Sequence, residues 1–273
     1  MILAFVAAGI GNLIRTKLIK HHFTLFLNIA VSISASCFIY AALLKIAEMA
    51  FNVSTIHEAG YICSMLFIIP GFPFITSGID LAKLDLRSGL ERLAYAIIIV
   101  MVATMFAWIM ALLLQLQPMD FEDLDLGPVL HLILRLIMSF FGVFGFSIMF
   151  NSPAPMAATA ALIGAIANSL RLELVDLTGM PAPAAAFAGA LTAGLLASFI
   201  KENNGYPRIS LTVPSIVIMV PGLYLYRAIY NFGIMALSDA VSWFASAIMI
   251  IIALPLGLIF ARILTDKTFR YCT

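Results

Sequence analysis

Long apolar runs recur along the whole chain, divided by short polar segments. Phe23–Leu44, Ala59–Ile79, Leu93–Met119, Leu177–Ile200 and Ala240–Ala261 contain no Asp, Glu, Lys or Arg, and Ile209–Tyr226 is a shorter run of the same kind. A helix crosses the hydrocarbon core of a bilayer in about 20 apolar residues, satisfying its backbone polar groups internally. Each run therefore predicts one spanning helix. Leu136–Leu170 is too long for one crossing, and Asn151-Ser152-Pro153-Ala154-Pro155 divides it, because proline cannot continue a helical ladder. That gives helices over about Val129–Phe150 and Met156–Leu170. Met1–Ile14 is a further apolar run; its basic residues (Arg15, Lys17, Lys20) follow it rather than precede it, so it reads as a short spanning helix and not as a signal peptide. The prediction is an all-α polytopic membrane protein of about nine transmembrane helices.

Composition agrees. Of 273 residues, 63% are hydrophobic and 11% are charged, whereas a soluble domain carries about 25% charged residues to keep its surface wet. The net charge of +1 gives no basic face for nucleic acid. Cys37, Cys63 and Cys272 are scattered without metal or disulfide spacing. No HExxH, G-x-S-x-G or P-loop is present, so neither an enzyme nor a cofactor is indicated.

Orientation follows from the basic residues. With alternate connections assigned to opposite sides, Lys45, Arg135, Arg171 and Arg227 fall on one side, and the rest of the 15 Lys and Arg fall on the other. The richer side is read as cytoplasmic. The N-terminus is then extracytoplasmic, the C-terminus cytoplasmic, and the acidic stretch 118–128 an outer loop between membrane halves 1–117 and 129–273. The membrane is expected to be the cell (inner) membrane.

The two halves repeat. Adding 151 to the residue number carries Ile69-Pro70-Gly71-Phe72 onto Val220-Pro221-Gly222-Leu223, Asp80 onto Asn231, and Ala94, Ala96 and Ile97 onto Ala245, Ala247 and Ile248. A Pro-Gly thus interrupts a spanning helix at the same place in each half. The equivalent helices are five crossings apart, which makes the repeats inverted, as in many secondary transporters whose interrupted helices mark the solute site. The first half has no partner for Val129–Phe150. The chain therefore reads as a ten-helix plan lacking its leading helix, through a misplaced start or a second polypeptide that supplies it.

Pro70-Gly71 followed by Asp80, Asp85, Ser88-Gly89-Leu90 and Arg92 resembles the first membrane half of the threonine/serine exporter family. Val213-Pro214 and Val220-Pro221-Gly222-Leu223-Tyr224-Leu225-Tyr226-Arg227-Ala228 resemble its second half, so that the likeness covers nearly the whole chain. The resemblance implies ten helices in two halves, export of threonine and serine driven by the proton gradient, and a soluble hydrolase-like domain in front. Some relatives are split into two polypeptides, and one such pair is linked to succinate export. This chain departs in lacking the front domain and first helix, in having Thr76 where asparagine is usual, and in having Tyr95 where glutamate is common.

The candidate solute-binding residues are Thr76, Ser77, Asp80, Tyr226, Arg227 and Asn231, with Asp80 and Asp85 as proton carriers and Pro70, Gly71, Pro214, Pro221 and Gly222 as helix breaks. A charge inside a membrane costs enough that it usually has a purpose, and the guanidinium fork of Arg227 suits a carboxylate. The plainer alternatives are that Arg227 snorkels to the outer headgroups, that the carboxylates pair with Lys83, Arg87 or Arg92, and that the hydroxyls and Asn231 bond helix carbonyls. Gly142, Gly145, Gly164 and Gly189 are assigned to close helix packing. The expected partners are a small amino acid, protons and the lipid bilayer, with a second polypeptide or a homo-oligomer also compatible. A dicarboxylate exporter and a non-transporting subunit of a two-component exporter are the competing readings.

Overall fold

A computed structural model describes residues 2–51, 59–118 and 126–270, with the side chains of 201–204 and 268 left aside. The regular structure among the described residues is all helix, with no strand. The long helices are α1 (Ile2–Lys20), α2 (Leu25–Phe51), α5 (Leu86–Leu114), α6 (Pro128–Met149), α7 (Ala154–Thr178), α8 (Ala182–Asn204) and α11 (Leu237–Thr265). Between them lie the shorter α3 (Gly60–Met65, continued by a 3-10 turn over Leu66–Ile68), α4 (Gly71–Ala82), α9 (Arg208–Val217), α10 (Gly222–Gly233) and α12 (Lys267–Arg270).

Seven of these helices are long and apolar enough to cross a membrane, nine spans in all if each of two bent pairs is one crossing. The chain turns by 54° between α3 with its 3-10 turn and α4, and by 45° between α9 and α10. Both turns fall at a Pro-Gly. Phe5 (81% exposed), Met49 (82%) and Leu113 (71%) are typical of the apolar side chains presented outward, an arrangement that suits lipid and not water. This is a multi-pass membrane protein.

Helix ends depart from the apolar windows wherever a charged residue remains helical. α5 begins at Leu86 and takes in Arg87, Glu91 and Arg92, and α7 runs on to Thr178 past Arg171, Glu173 and Asp176. The eighth crossing does not stop at Tyr226, since α10 continues to Gly233. Pro214 interrupts nothing. It lies inside α9, which runs on to Val217, and the turn comes only at the Pro221-Gly222 step. The acidic residues 120–125, together with His57, Glu58 and Cys272, lie outside the described residues.

The repeat seen in the sequence is a repeat of backbone. α4 and α10 each have 12 residues and α5 and α11 each have 29, with both pairs in register at the offset of 151. The turn closing the half-helix is the same in both. Leu84 and Met235 take the left-handed conformation at φ 62°, and Asp85 N–H donates to the Asp80 carbonyl (3.1 Å) as Ala236 N–H does to that of Asn231 (2.9 Å). Side chains other than glycine rarely adopt this backbone, so its recurrence marks a common design.

The helices group into two compact units. The first comprises Met1–Pro70, Tyr95–Leu124 and Gly222–Ala245; the second comprises Gly71–Ala94, Asp125–Pro221 and Ser246–Thr273. Both Pro-Gly steps lie on the division, so each unit takes the half-helix before one step and the half-helix after the other. The first unit has a core of Ile33, Tyr40, Tyr61, Ile62, Met65, Ala103, Ala107 and Tyr226. In the second, buried alanines predominate (Ala157, Ala160, Ala161, Ala167, Ala186, Ala190, Ala193), which lets helix backbones approach closely where no hydrophobic effect drives them together.

The four glycines assigned to packing divide. A Cβ on Gly164 would meet the Ser215 carbonyl and Val143 Cγ2, each at 2.6 Å, and one on Gly189 the Ala167 carbonyl at 3.0 Å. Gly145 has nothing within 4 Å, and Gly142 only an ordinary contact at 3.6 Å. Gly145 lies on an outward face of α6, so its small size serves no contact among the described residues.

Candidate solute site

The Pro-Gly steps position the candidate residues. In the first unit, α10 begins at Gly222, where a Cβ would lie 2.9 Å from Leu66 Cδ2 and 3.2 Å from Ile69 Cγ1. In the second unit, α4 begins at Gly71, where a Cβ would lie 2.5 Å from Val217 Cγ2 and 3.2 Å from Val220 Cγ2. Each half-helix thus starts in close contact with the residues that end the other repeat's preceding half-helix. Only glycine allows this approach, and it is the same at both steps.

In the first unit, α10 presents Tyr224, Tyr226 and Arg227 to the core. Tyr226 is fully buried. Its hydroxyl shares a hydrogen bond of 2.6 Å with that of Tyr61, and the rings meet edge-on at 5.7 Å. Arg227 is 8% exposed, in the middle of α10 and not at its end. Its guanidinium carbon lies 4.7 Å from the Trp243 ring centroid, and Tyr224 packs on the same indole at 5.2 Å. Residues three apart share a helix face, so α10 offers a cation and a phenol to one tryptophan. A desolvated cation–π contact stabilises by about 2 kcal/mol. The Asn231 amide donates to the Arg227 carbonyl at 2.8 Å.

In the second unit, the equivalent face of α4 carries different chemistry. Thr76 donates to the Phe72 carbonyl (3.0 Å) and Ser77 to the Phe74 carbonyl (2.9 Å), both within their own helix. Each hydroxyl keeps lone pairs that can still accept. Asp80 forms an ion pair with Arg92 at 3.1 Å, close enough for charge but not aligned as a hydrogen bond. Asp85 is in the turn outside the spans, where the Ser88 hydroxyl and backbone N–H (3.3 Å) hold its carboxyl below the usual carboxylate range.

At the offset of 151, Thr76 answers Arg227, Asp80 answers Asn231 and Arg92 answers Trp243. The contact between half-helix and long helix is therefore built twice. One copy places the cation on the long helix opposite a carboxylate; the other places it on the half-helix over an indole.

Tyr61 and Trp243 do not stand out in the sequence. Tyr61 is 165 residues from its partner, and Trp243 is one aromatic in an apolar run. A second polar cluster was also missed. Arg135 (side chain 14% exposed) on α6 pairs with Glu173 at 2.7 Å and with Asp176, while Asn168 donates to Ser139 at 2.8 Å. The spacing of Glu173 and Asp176 on one face of α7 was the available signal. Among the described residues no group of His, Cys, Asp or Glu could hold a metal ion.

The comparisons with known proteins bear on both halves. The family model for Threonine/Serine exporter, ThrE, matches residues 135–264, and a second threonine/serine exporter model matches residues 1–115. No curated protein and no solved structure matches the chain. The two family models together span the interrupted helices of both repeats, and the chain belongs to the threonine/serine exporter family.

Proposed function

We propose that this protein is a secondary transporter that exports small amino acids, threonine and serine, in exchange for protons. One observation carries the reading. Arg227 is buried within the protein on a half-helix that starts at a Pro-Gly step, with its guanidinium over the Trp243 ring. A guanidinium held in place is suited to the carboxylate common to all amino acids, and interrupted helices are where secondary transporters take up their solutes. On the same half-helix Asn231 supplies an amide, and on the equivalent half-helix of the second unit Thr76 and Ser77 supply hydroxyls; each set, taken by itself, is in keeping with a small polar solute. Tyr226 acts through its bond to Tyr61, which anchors α10.

Asp80 is the proton carrier in this reading. Protonation would neutralise its carboxylate and release Arg92, so that proton uptake is felt at once by α4 and the long helix α5. The test is flux of labelled threonine and serine in vesicles reconstituted with the purified chain, with and without a pH gradient. Losing a charge-assisted contact worth about 1.5–3 kcal/mol lowers transport efficiency roughly tenfold to a hundredfold in Arg227→Ala. Asp80→Asn is expected to remove the response to the gradient while leaving insertion intact. Normal, gradient-driven transport by both variants overturns the site assignment. Flux that requires an added partner polypeptide makes the chain a subunit of a two-component exporter.

A further inference from the structure

We propose that a cleft in the second unit binds a phosphate-type anion, the headgroup of an anionic phospholipid. The cleft has a volume of about 170 Å³ and lies where α4 ends, α9 begins and α11 ends. Three helix ends meeting at one level mark the boundary between hydrocarbon and water. Lys83, Arg208 and Arg262 line it against a single carboxylate, Asp266.

The cations are held in different ways. Arg208, the first residue of α9, donates to Thr265 Oγ1 at 2.9 Å and to the Gly194 carbonyl at 3.2 Å. These neutral acceptors fix the guanidinium without cancelling its charge. Arg262 stacks over Phe269 at 4.1 Å and reaches Asp266 at 3.3 Å, while the other oxygen of Asp266 accepts from the Phe269 N–H at 3.2 Å. Lys83 is exposed and forms no ion pair among the described residues. The positive end of the α9 dipole points the same way.

The walls decide the kind of ligand. Ile79, Ile209, Leu258 and Ile259 line the same cleft, and Ile209 is 47% exposed on its rim. A soluble dianion gains nothing from aliphatic walls. A phospholipid offers a phosphate to the cations and its first methylenes to the isoleucines, and basic clefts between helices at the membrane boundary are suited to such headgroups. At about 170 Å³ the cleft has room for several bound waters, and so for a headgroup phosphate.

The experiment measures lipid preference by native mass spectrometry of the full chain in mixed phosphatidylglycerol and phosphatidylcholine. The expected result is a clear preference for phosphatidylglycerol that falls about fivefold per cation removed in Lys83→Gln and in Arg208→Gln, with Lys17→Gln as the unaffected control. Lys83→Gln breaks no bond, so it reads the charge alone if Arg208→Gln folds poorly. Equal binding of the two lipids, or a preference that both variants retain, overturns the proposal. Thermal protection in phosphatidylcholine nanodiscs by inorganic phosphate or by succinate, matching that of phosphatidylglycerol, also overturns it by assigning the cleft to a soluble anion.

Discussion

Gly164→Ala compared with Gly145→Ala tests whether the second unit is held by backbone contact. Both are glycines in long helices, so the backbone entropy gained on substitution is the same, about 0.5–1 kcal/mol in favour of alanine. They differ in what the new methyl meets. At Gly164 it would lie 2.6 Å from the Ser215 carbonyl oxygen, about an ångström inside ordinary contact, and a backbone oxygen cannot rotate away. α7 and α9 must part, which costs about 1–3 kcal/mol as overpacking. The net loss is about 0–2.5 kcal/mol, and the difference from Gly145→Ala is the overpacking itself, about 1–3 kcal/mol or roughly 2–12 °C in Tm. At Gly145 nothing lies within 4 Å, and Tm should hold or rise by about 2 °C on the same scale. Thermal unfolding of both variants in one detergent, followed by fluorescence, measures the difference. If Gly164→Ala melts with Gly145→Ala, the α7–α9 contact is looser than described.

Three further outcomes are expected. Tyr61→Phe and Tyr226→Phe each leave one buried hydroxyl without its partner, at about 1–3 kcal/mol, so the double variant should lose less than the sum; strict additivity in thermal melts refutes the shared bond. Arg135→Gln leaves Glu173 and Asp176 facing each other across a lost cation and should lower stability by about 1–2 kcal/mol, partial exposure limiting the effect; adding Glu173→Gln should restore part of it, and no recovery argues against charge as the cause. Asp85 has a lowered pKa, so its contribution is present above the usual carboxylate range and fades as pH falls through its own value. Ser88→Ala removes the hydroxyl and keeps the backbone N–H, so it should weaken that acid-side dependence, and melts that stay parallel with wild type across the acid range count against the hydroxyl bond.

The crossings and both Pro-Gly steps could be read from the chain because they depend on local properties, namely an unbroken apolar run and a residue that cannot donate. The repeat could be read for a related reason: glycine is required at a fixed point of each half, and Gly71 and Gly222 are 151 residues apart. The helix limits were harder to place. Arg87, Glu91 and Arg171 remain helical beyond the windows that hydropathy sets, because a charge ends an apolar run without ending a hydrogen-bond ladder. Pro214 misled in the opposite sense, as a proline that the helix tolerates. Arg227 was legible as a charge in an unusual place, but its indole was not, since nothing in an apolar segment says which face Trp243 turns inward. The pairing of Arg135 with two acids 38 and 41 residues on depends on how α6 lies on α7, and pairwise helix packing leaves only a faint trace in a single sequence.

The exchange at the Pro-Gly steps bears on how the chain is made. The first unit is completed only by Gly222–Ala245, and the second draws Gly71–Ala94 from far upstream. During synthesis the early helices must wait in the bilayer, with the Leu66–Ile69 surface unfilled, until the ribosome has delivered most of the protein. A nick in the stretch between the halves would yield two fragments, neither holding a whole unit, and each would need the other to mature.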